Sequence, residues 1–296
     1  MIFAYLALAA AVAVMLYFWR QGRGAAITSQ VQRQMNAALV EQHVGTLRAL
    51  YAPLYREGFR GTHTDAPAGD LDSRLGGPIL WPKGQTPPMD ESGQMMVLLV
   101  QINLADMDGA LGLPKAGHVQ VFVHVGELFG LNMKDMTFGG FHAAYHPAGT
   151  EFDRHPFAMP PDAVTPFMIP GIEAEGRAIK WDRARIPPTF WDYRIEGKIR
   201  ALTLDDASAD EALDKVWQAL ADQRGLYDVL LLGTPDFTQD DIRGDESLAG
   251  YENLVGFSSG GGAFMWGDAG EAVVLVPNED LKRFDLSRAI YSWDCC

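Results

Sequence analysis

The hydrophobic and polar positions first indicate a membrane segment. The first 19 residues, MIFAYLALAAAVAVMLYFW, carry no charge, and a helix needs ~20 apolar residues to cross a bilayer. Arg20 and Arg23 follow, which by the positive-inside rule predicts a cytoplasmic body. We therefore expect residues 1–23 to be a single-pass anchor in the inner (cytoplasmic) membrane.

A helical pattern follows the apolar segment. Apolar residues recur there in steps of four and three, which indicates one face of a helix. They are Val40, Val44, Leu47, Tyr51 and Leu54. We predict a juxtamembrane helix over residues 24–60. The apolar stripe fits either packing onto the body or a dimer seam.

From about residue 70 the pattern changes to short apolar runs separated by Gly- and Pro-rich turns, which is typical of strands. The runs MMVLLVQINL and GHVQVFVHV in the first part resemble YENLVGFSS and GEAVVLV near the C-terminus. Val255 follows Val100 by 155 residues, and Gly270 follows Gly117 by 153. A nearly constant offset indicates an internal repeat.

We therefore predict an α+β fold with a β-rich body over residues 61–296. Its two similar, pseudo-duplicated halves span about 70–130 and 225–296. A loop and helix insert, 131–224, separates them. The clearest helix in that insert begins near Ser208, which forms a capping box with Glu211. Its buried stripe is expected to contain Leu213, Val216, Trp217 and Leu220.

Charge and cysteine content exclude several classes of function. The chain has a net charge of −14; six arginines and two glutamates give the first 60 residues +4, which leaves −18 for residues 61–296. A body this acidic argues against a nucleic-acid partner, because phosphate contacts need a basic surface. The two cysteines, Cys295 and Cys296, exclude a disulfide framework and a multi-cysteine zinc site.

The stretch FHAAYHPAGTEFDRH is the main concentration of potential metal ligands. His142 and His146 are four residues apart and would share one face of a helix, with His155 close behind. Flanking Gly140 and Pro147 favour a polar loop instead. The GFSSG stretch matches a nucleophile pattern, but the last histidine, His155, precedes it, so we interpret it as a turn. We predict no catalytic residues and no cofactor.

Five stretches in the same order resemble the YwqG-like family, a group of bacterial proteins described as a domain of unknown function. They are LGGPILWP, LLVQINLADM, LLGTPDFTQDDIR, MWGDAGEAVVLVPNEDL and RAIYSWDCC. The resemblance covers roughly residues 70–296. It implies an α+β fold built from two similar β-rich halves, and a binding or protective role.

Two packed halves usually leave a cleft, and polar residues on the motif strands and turns are the best candidates for contacting a ligand there. The candidate ligand-binding residues are Gln101, Asn103, Gln239, Arg243, Trp266 and Asp268. We expect a membrane-anchored, non-enzymatic binding protein that engages a protein or peptide. The alternative is a metal-dependent, hydrolase-type enzyme that uses His142, His146 and His155.

Overall fold

The computed structural model describes residues 14, 24–131, 140–160, 163–190, 192–203 and 207–295. They form two compact units, one of residues 24–53 and 195–221 and the other of residues 54–194 and 222–295. The helices are α1 (Gly24–Tyr51), α2 (Ile172–Glu175), α3 (Glu196–Thr203), α4 (Ala207–Arg224) and α5 (Asn278–Leu281). The strands are β1 (Arg56–His63), β2 (Arg74–Leu75), β3 (Ile79–Pro82), β4 (Val97–Asn103), β5 (Gly117–Val123), β6 (Phe141–Pro147), β7 (Phe152–His155), β8 (Arg177–Ile186), β9 (Val229–Leu232), β10 (Tyr251–Ser258), β11 (Glu271–Pro277) and β12 (Ile290–Asp294).

The first unit is helical and contains α1, α3 and most of α4. The predicted stripe of α1 is buried at Val40, Val44, Leu47 and Tyr51. Lys215 of α4 forms an ion pair with Glu41 of α1 at 3.5 Å.

The buried face of α4 differs from the prediction. Val216 and Leu220 are buried together with Ala212, at helical spacing, whereas Trp217 is 53% exposed. Trp217 lies about 100° around the helix from Val216, at the border of the buried stripe.

The second unit is built on a ten-stranded antiparallel sheet. Its strand order is β12-β11-β10-β9-β1-β8-β2-β4-β5-β6, and β3 pairs with β7 in a separate two-stranded sheet. The central strands β1 and β8 pair along the whole of β1, from Arg56 opposite Ile186 to His63 opposite Ile179. The strands β4, β5, β10 and β11 are almost entirely buried, because their sequences are continuous apolar runs that pack on both faces. These four strands confirm the runs predicted from the sequence.

The two edge strands of the sheet, β6 and β12, are connected by side-chain contacts. Phe141 of β6 stacks on Tyr291 of β12 with 5.5 Å between ring centroids. The Tyr291 hydroxyl donates a hydrogen bond to the carbonyl of Phe129 at 2.8 Å, and the Trp293 indole donates to that of Leu128 at 2.7 Å. Leu128 and Phe129, which follow β5, are therefore held against β12.

The predicted fold class is wrong. Instead of an α+β body made of two packed halves, the described residues of this unit form one β-rich sheet with few, short helices. The strands β1 and β8 join the two groups of apolar strands edge to edge. Their sequences, REGFRGTH and RAIKWDRARI, are polar and half-exposed, so hydrophobic periodicity did not reveal them.

The predicted transmembrane helix is not supported either. No helix among the described residues is long and apolar enough to span a membrane. The predicted anchor, residues 1–23, lies outside the described residues except for Val14.

A glycine in β1 is expected to be essential for packing against β9. A Cβ on Gly58 would lie 2.8 Å from the backbone nitrogen of Gly233, so backbone atoms would have to move. We expect Gly58→Ala to lower the free energy of unfolding by about 1–3 kcal/mol, the usual cost of overpacking. Urea denaturation of the whole chain measures this.

Gly256→Ala in β10 is the matched control, because a Cβ there meets its nearest atoms at 3.7 Å, an ordinary contact distance. It should be close to neutral. Equal effects of the two substitutions would contradict the close approach of β1 and β9.

Candidate functional site

A cavity of about 660 Å³ lies along the outer edge of β6. On one side it is bounded by β3, and on the other by the segment that leads into β12. Its described lining residues are Trp81, Pro82, Gln85, Phe141, His142, Ala143, Ala144, Tyr145, His146, Phe284, Asp285, Leu286, Ser287 and Ala289. All of them belong to the β-rich unit.

The floor of this cavity is a strand edge with unpaired peptide groups. The amide of His124 donates to the carbonyl of Gly140 at 2.7 Å, which sets the register of β6 on β5. Because successive residues of a strand alternate, the peptide groups of Phe141, Ala143 and Tyr145 point away from β5. Among the described residues, no backbone group is bonded to them. Such an edge can accept another strand.

Two aromatic pairs lie on one face of β6 beside the cavity. Tyr145 packs edge-on against Phe284 with a centroid distance of 4.8 Å, and Phe141 stacks on Tyr291. Ala143 lies between the two pairs on the same face. The space exists because this middle position carries only a methyl group.

The other face of β6 presents two histidines and a tryptophan. Trp81 of β3 packs edge-on against His146 at 4.9 Å and against His142 at 5.7 Å, measured between ring centroids. Ala144 lies between the two histidines and leaves room beside the indole ring. This face therefore combines an aromatic wall with imidazole nitrogens.

His146 is also the end of a buried hydrogen-bond chain that spans four strands, β6, β5, β4 and β2. Its Nε2 lies 3.0 Å from the side-chain oxygen of Gln120 on β5. The Gln120 amide donates to Gln101 on β4 at 2.9 Å, and Arg74 on β2 donates to the same Gln101 oxygen at 3.2 Å. Arg74, Gln101 and Gln120 are almost completely buried. The chain fixes His146 to the interior of the sheet.

The electrostatics of the cavity follow from burial. Burial, with smaller contributions from His118 and His142, lowers the pKa of His146 to about 4, and burial also lowers the pKa of His142. His146 is therefore neutral at pH 7. Hydrogen bonds from Ser287 lower the pKa of Asp285, which is ionised. Asp285 is thus the charged side chain among the described lining residues.

The predicted ligand-binding residues of the first half serve internal contacts. Gln101 is fully buried, and its amide nitrogen donates to the carbonyls of Asp70 and Asp72 at 2.8 and 3.0 Å. The side-chain oxygen of Asn103 accepts from the Ala105 amide at 3.0 Å and so caps a short 3₁₀ turn. Both residues organise loops on the sheet face shared with His146.

The predicted ligand-binding residues of the second half are dispersed. Gln239 donates to the Cys295 carbonyl at 2.7 Å, and the buried Arg243 pairs with Asp241 at 2.7 Å. Trp266 is fully buried, whereas Asp268 is exposed. None of the six predicted residues is among the described residues that line the cavity.

The predicted metal candidates are also separated. A strand rises about 3.3 Å per residue, so the Cα atoms of His142 and His146 are about 13 Å apart along β6, and the indole of Trp81 packs against both rings. His155 lies on β7, outside the described cavity lining. Among the described residues, no group of three His, Cys, Asp or Glu side chains is arranged to hold a metal ion.

Sequence reasoning found His142 and His146 but not the strand that carries them. In FHAAYHP the odd positions are Phe, Ala and Tyr and the even positions are His, Ala and His, which is a period-two strand signal, but the neighbouring glycine and proline suggested a loop. The contribution of Phe284 depends on tertiary packing, for which the sequence carries no local signal.

A comparison with family models places most of this unit in one family. The model of a domain of unknown function, DUF1963, matches residues 73–295, about three quarters of the chain. The chain belongs to the DUF1963 family. The match begins just before β2 and runs through β12, so the DUF1963 region contains the whole described cavity lining. It confirms the expectation of an uncharacterised domain. No curated protein matches the chain.

The buried histidine of this DUF1963 domain predicts a pH dependence of stability. His146 has a folded-state pKa of about 4, against 6.5 for an unperturbed histidine. Between these values the unfolded chain binds more protons, so stability is fully present above pH 6.5 and falls as the pH falls towards 4. His146→Gln removes the titration but keeps an N–H donor for Gln120.

We expect the free energy of unfolding of His146→Gln to decline less than that of the natural chain over this pH range. Urea denaturation at several pH values measures the difference. If the free energies of unfolding of the two proteins decline in parallel, the titration of His146 does not cause the pH dependence.

Proposed function

We propose that this protein is a non-enzymatic binding protein that takes up an extended peptide segment along the outer edge of β6. The observation that carries the proposal is the unpaired strand edge of Phe141, Ala143 and Tyr145, which forms the floor of the cavity. Adding a strand to an open sheet edge is a recurrent mode of peptide recognition.

The backbone of β6 would supply most of the affinity. The outward N–H and C=O groups of Ala143 lie at the middle of the edge, where no large side chain obstructs an incoming strand. A peptide that pairs with these groups gains main-chain hydrogen bonds whatever its sequence.

The walls of the cavity would supply specificity. Side chains of an added strand alternate between its two faces, so they point in turn towards Trp81 and towards Phe284. The volume of about 660 Å³ lies within the range of ~300–1,000 Å³ that is typical of ligand sites. Side chains that fill these two spaces would distinguish one peptide from another.

The narrower relationship to YwqG-like proteins belongs to the same proposal. Two of the motifs that carry the resemblance contribute to the cavity: LGGPILWP contains Trp81 and Pro82, and RAIYSWDCC begins at Arg288 and contains Ala289. Binding would then be the role that the resemblance implies.

The test uses random decapeptides displayed on phage and selected on the full-length protein. Peptides that bind the natural chain are expected to lose binding to Ala143→Pro, because proline removes the outward N–H and its ring obstructs an added strand. Ala143→Ser is the matched control, since it keeps the N–H and nearly the same side-chain volume and should retain most of the binding.

A second measurement examines the peptide itself. N-methylation at alternate positions of a selected peptide should abolish binding in one register and leave it unchanged in the other. Failure to select any peptide, or peptides that bind Ala143→Pro equally well, would overturn the proposal.

A further inference from the structure

The donors and acceptors of the hydrogen-bond chain behind the cavity can be assigned in only one way, and the assignment starts from Arg74. A guanidinium can only donate, so the Gln101 atom that it contacts at 3.2 Å must be the oxygen. Burial lowers the pKa of Arg74 to about 10, which leaves it protonated at neutral pH. The side-chain nitrogen of Gln101 donates to the backbone carbonyls of Asp70 and Asp72, which can only accept.

The same reasoning orients Gln120. Its nitrogen donates to the Gln101 oxygen at 2.9 Å and to the carbonyl of Leu80 at 2.9 Å, and both partners act as acceptors. The Gln120 oxygen is consequently the atom that faces His146. Since an amide oxygen cannot donate, Nε2 of His146 must carry the proton.

The neutral imidazole of His146 has one proton, so its Nδ1 is a hydrogen-bond acceptor. Among the described residues, Nδ1 of His146 has no hydrogen-bond partner. This nitrogen is not completely buried, so a ligand atom can approach it. His146 lines the cavity beside Trp81. His146 therefore brings an unpartnered acceptor and an adjacent aromatic ring to the wall of the cavity.

The charges around the cavity favour a cationic donor. No lysine or arginine is among its described lining residues, and Asp285 is ionised. The neighbouring Arg288 is already paired with Asp280 and Glu279, both at 2.6 Å. Residues 61–296 carry a net charge of −18, which attracts basic segments. The ring of Trp81 adds a surface that binds cations.

We propose that the peptide bound along β6 carries a lysine or arginine whose side chain donates a hydrogen bond to Nδ1 of His146. The inference rests on the proposed function, because the peptide must lie against β6. An added strand places alternate side chains on the face of His142, Ala144 and His146, where this contact forms.

The selection of displayed decapeptides separates the two proposals. Peptides that lose binding to Ala143→Pro, and that share a lysine or arginine at one position, support both proposals. Peptides that need the edge but share no basic residue overturn the inference and leave the proposed function standing. Failure to select any peptide overturns both.

A selected peptide is then resynthesised with norleucine in place of its lysine. For the natural chain, we expect the lysine peptide to bind about tenfold more tightly, the usual worth of a hydrogen bond to a charged group. His146→Gln should reduce this ratio substantially, because it keeps the donor to Gln120 but lacks Nδ1, while the attraction of the lysine to Asp285 and Trp81 remains. His142→Gln, on the same strand face, should preserve it. An unchanged ratio in His146→Gln contradicts the contact.

The protonation of the ring is measured without any peptide. Nitrogen-15 NMR of the full-length protein at neutral pH should show the proton of His146 on Nε2 and a bare Nδ1. Gln120→Leu should abolish this preference. A proton on Nδ1 in the natural chain overturns the inference.

Discussion

The antiparallel pairing of β1 with β8 is the constraint on which the sheet depends. It lies at the centre of the strand order and joins the group β2-β4-β5-β6 to the group β9-β10-β11-β12. Charged side chains face each other across it, as Arg60 and Asp182 do at 2.7 Å, but such exposed pairs contribute little to stability. The backbone ladder, and the close approach that Gly58 permits, therefore hold the two groups in one sheet.

This arrangement explains which parts of the fold could be predicted. The strands β4, β5, β10 and β11 are buried on both faces and appear in the sequence as apolar runs. The strands β1 and β8 are half-exposed, and their charged residues conceal their role as the connection between the groups. The offset of about 155 residues predicted two similar halves, whereas the apolar runs belong to one continuous sheet.

The candidate site could be predicted only in part, because the meaning of a spacing depends on the secondary structure that contains it. His142 and His146 would be neighbours on a helix, whereas on β6 their Cα atoms are about 13 Å apart and Trp81 packs against both rings. The polar residues chosen from the motifs, such as Gln101 and Arg243, are buried and hold loops and neighbouring side chains. Polarity alone did not distinguish residues that satisfy buried groups from residues that contact a ligand.

The two observations about β6 reinforce each other. An open strand edge binds any extended chain through its backbone, so a protein that exposes one needs a second feature to select its partner. In the proposed complex, the hydrogen-bond chain from Arg74 would provide such a feature, because it fixes the proton of His146 on Nε2 and leaves Nδ1 as an acceptor. Gln101, chosen from its motif as a ligand contact, would then act on the ligand indirectly, by setting the orientation of Gln120 and through it the tautomer of His146.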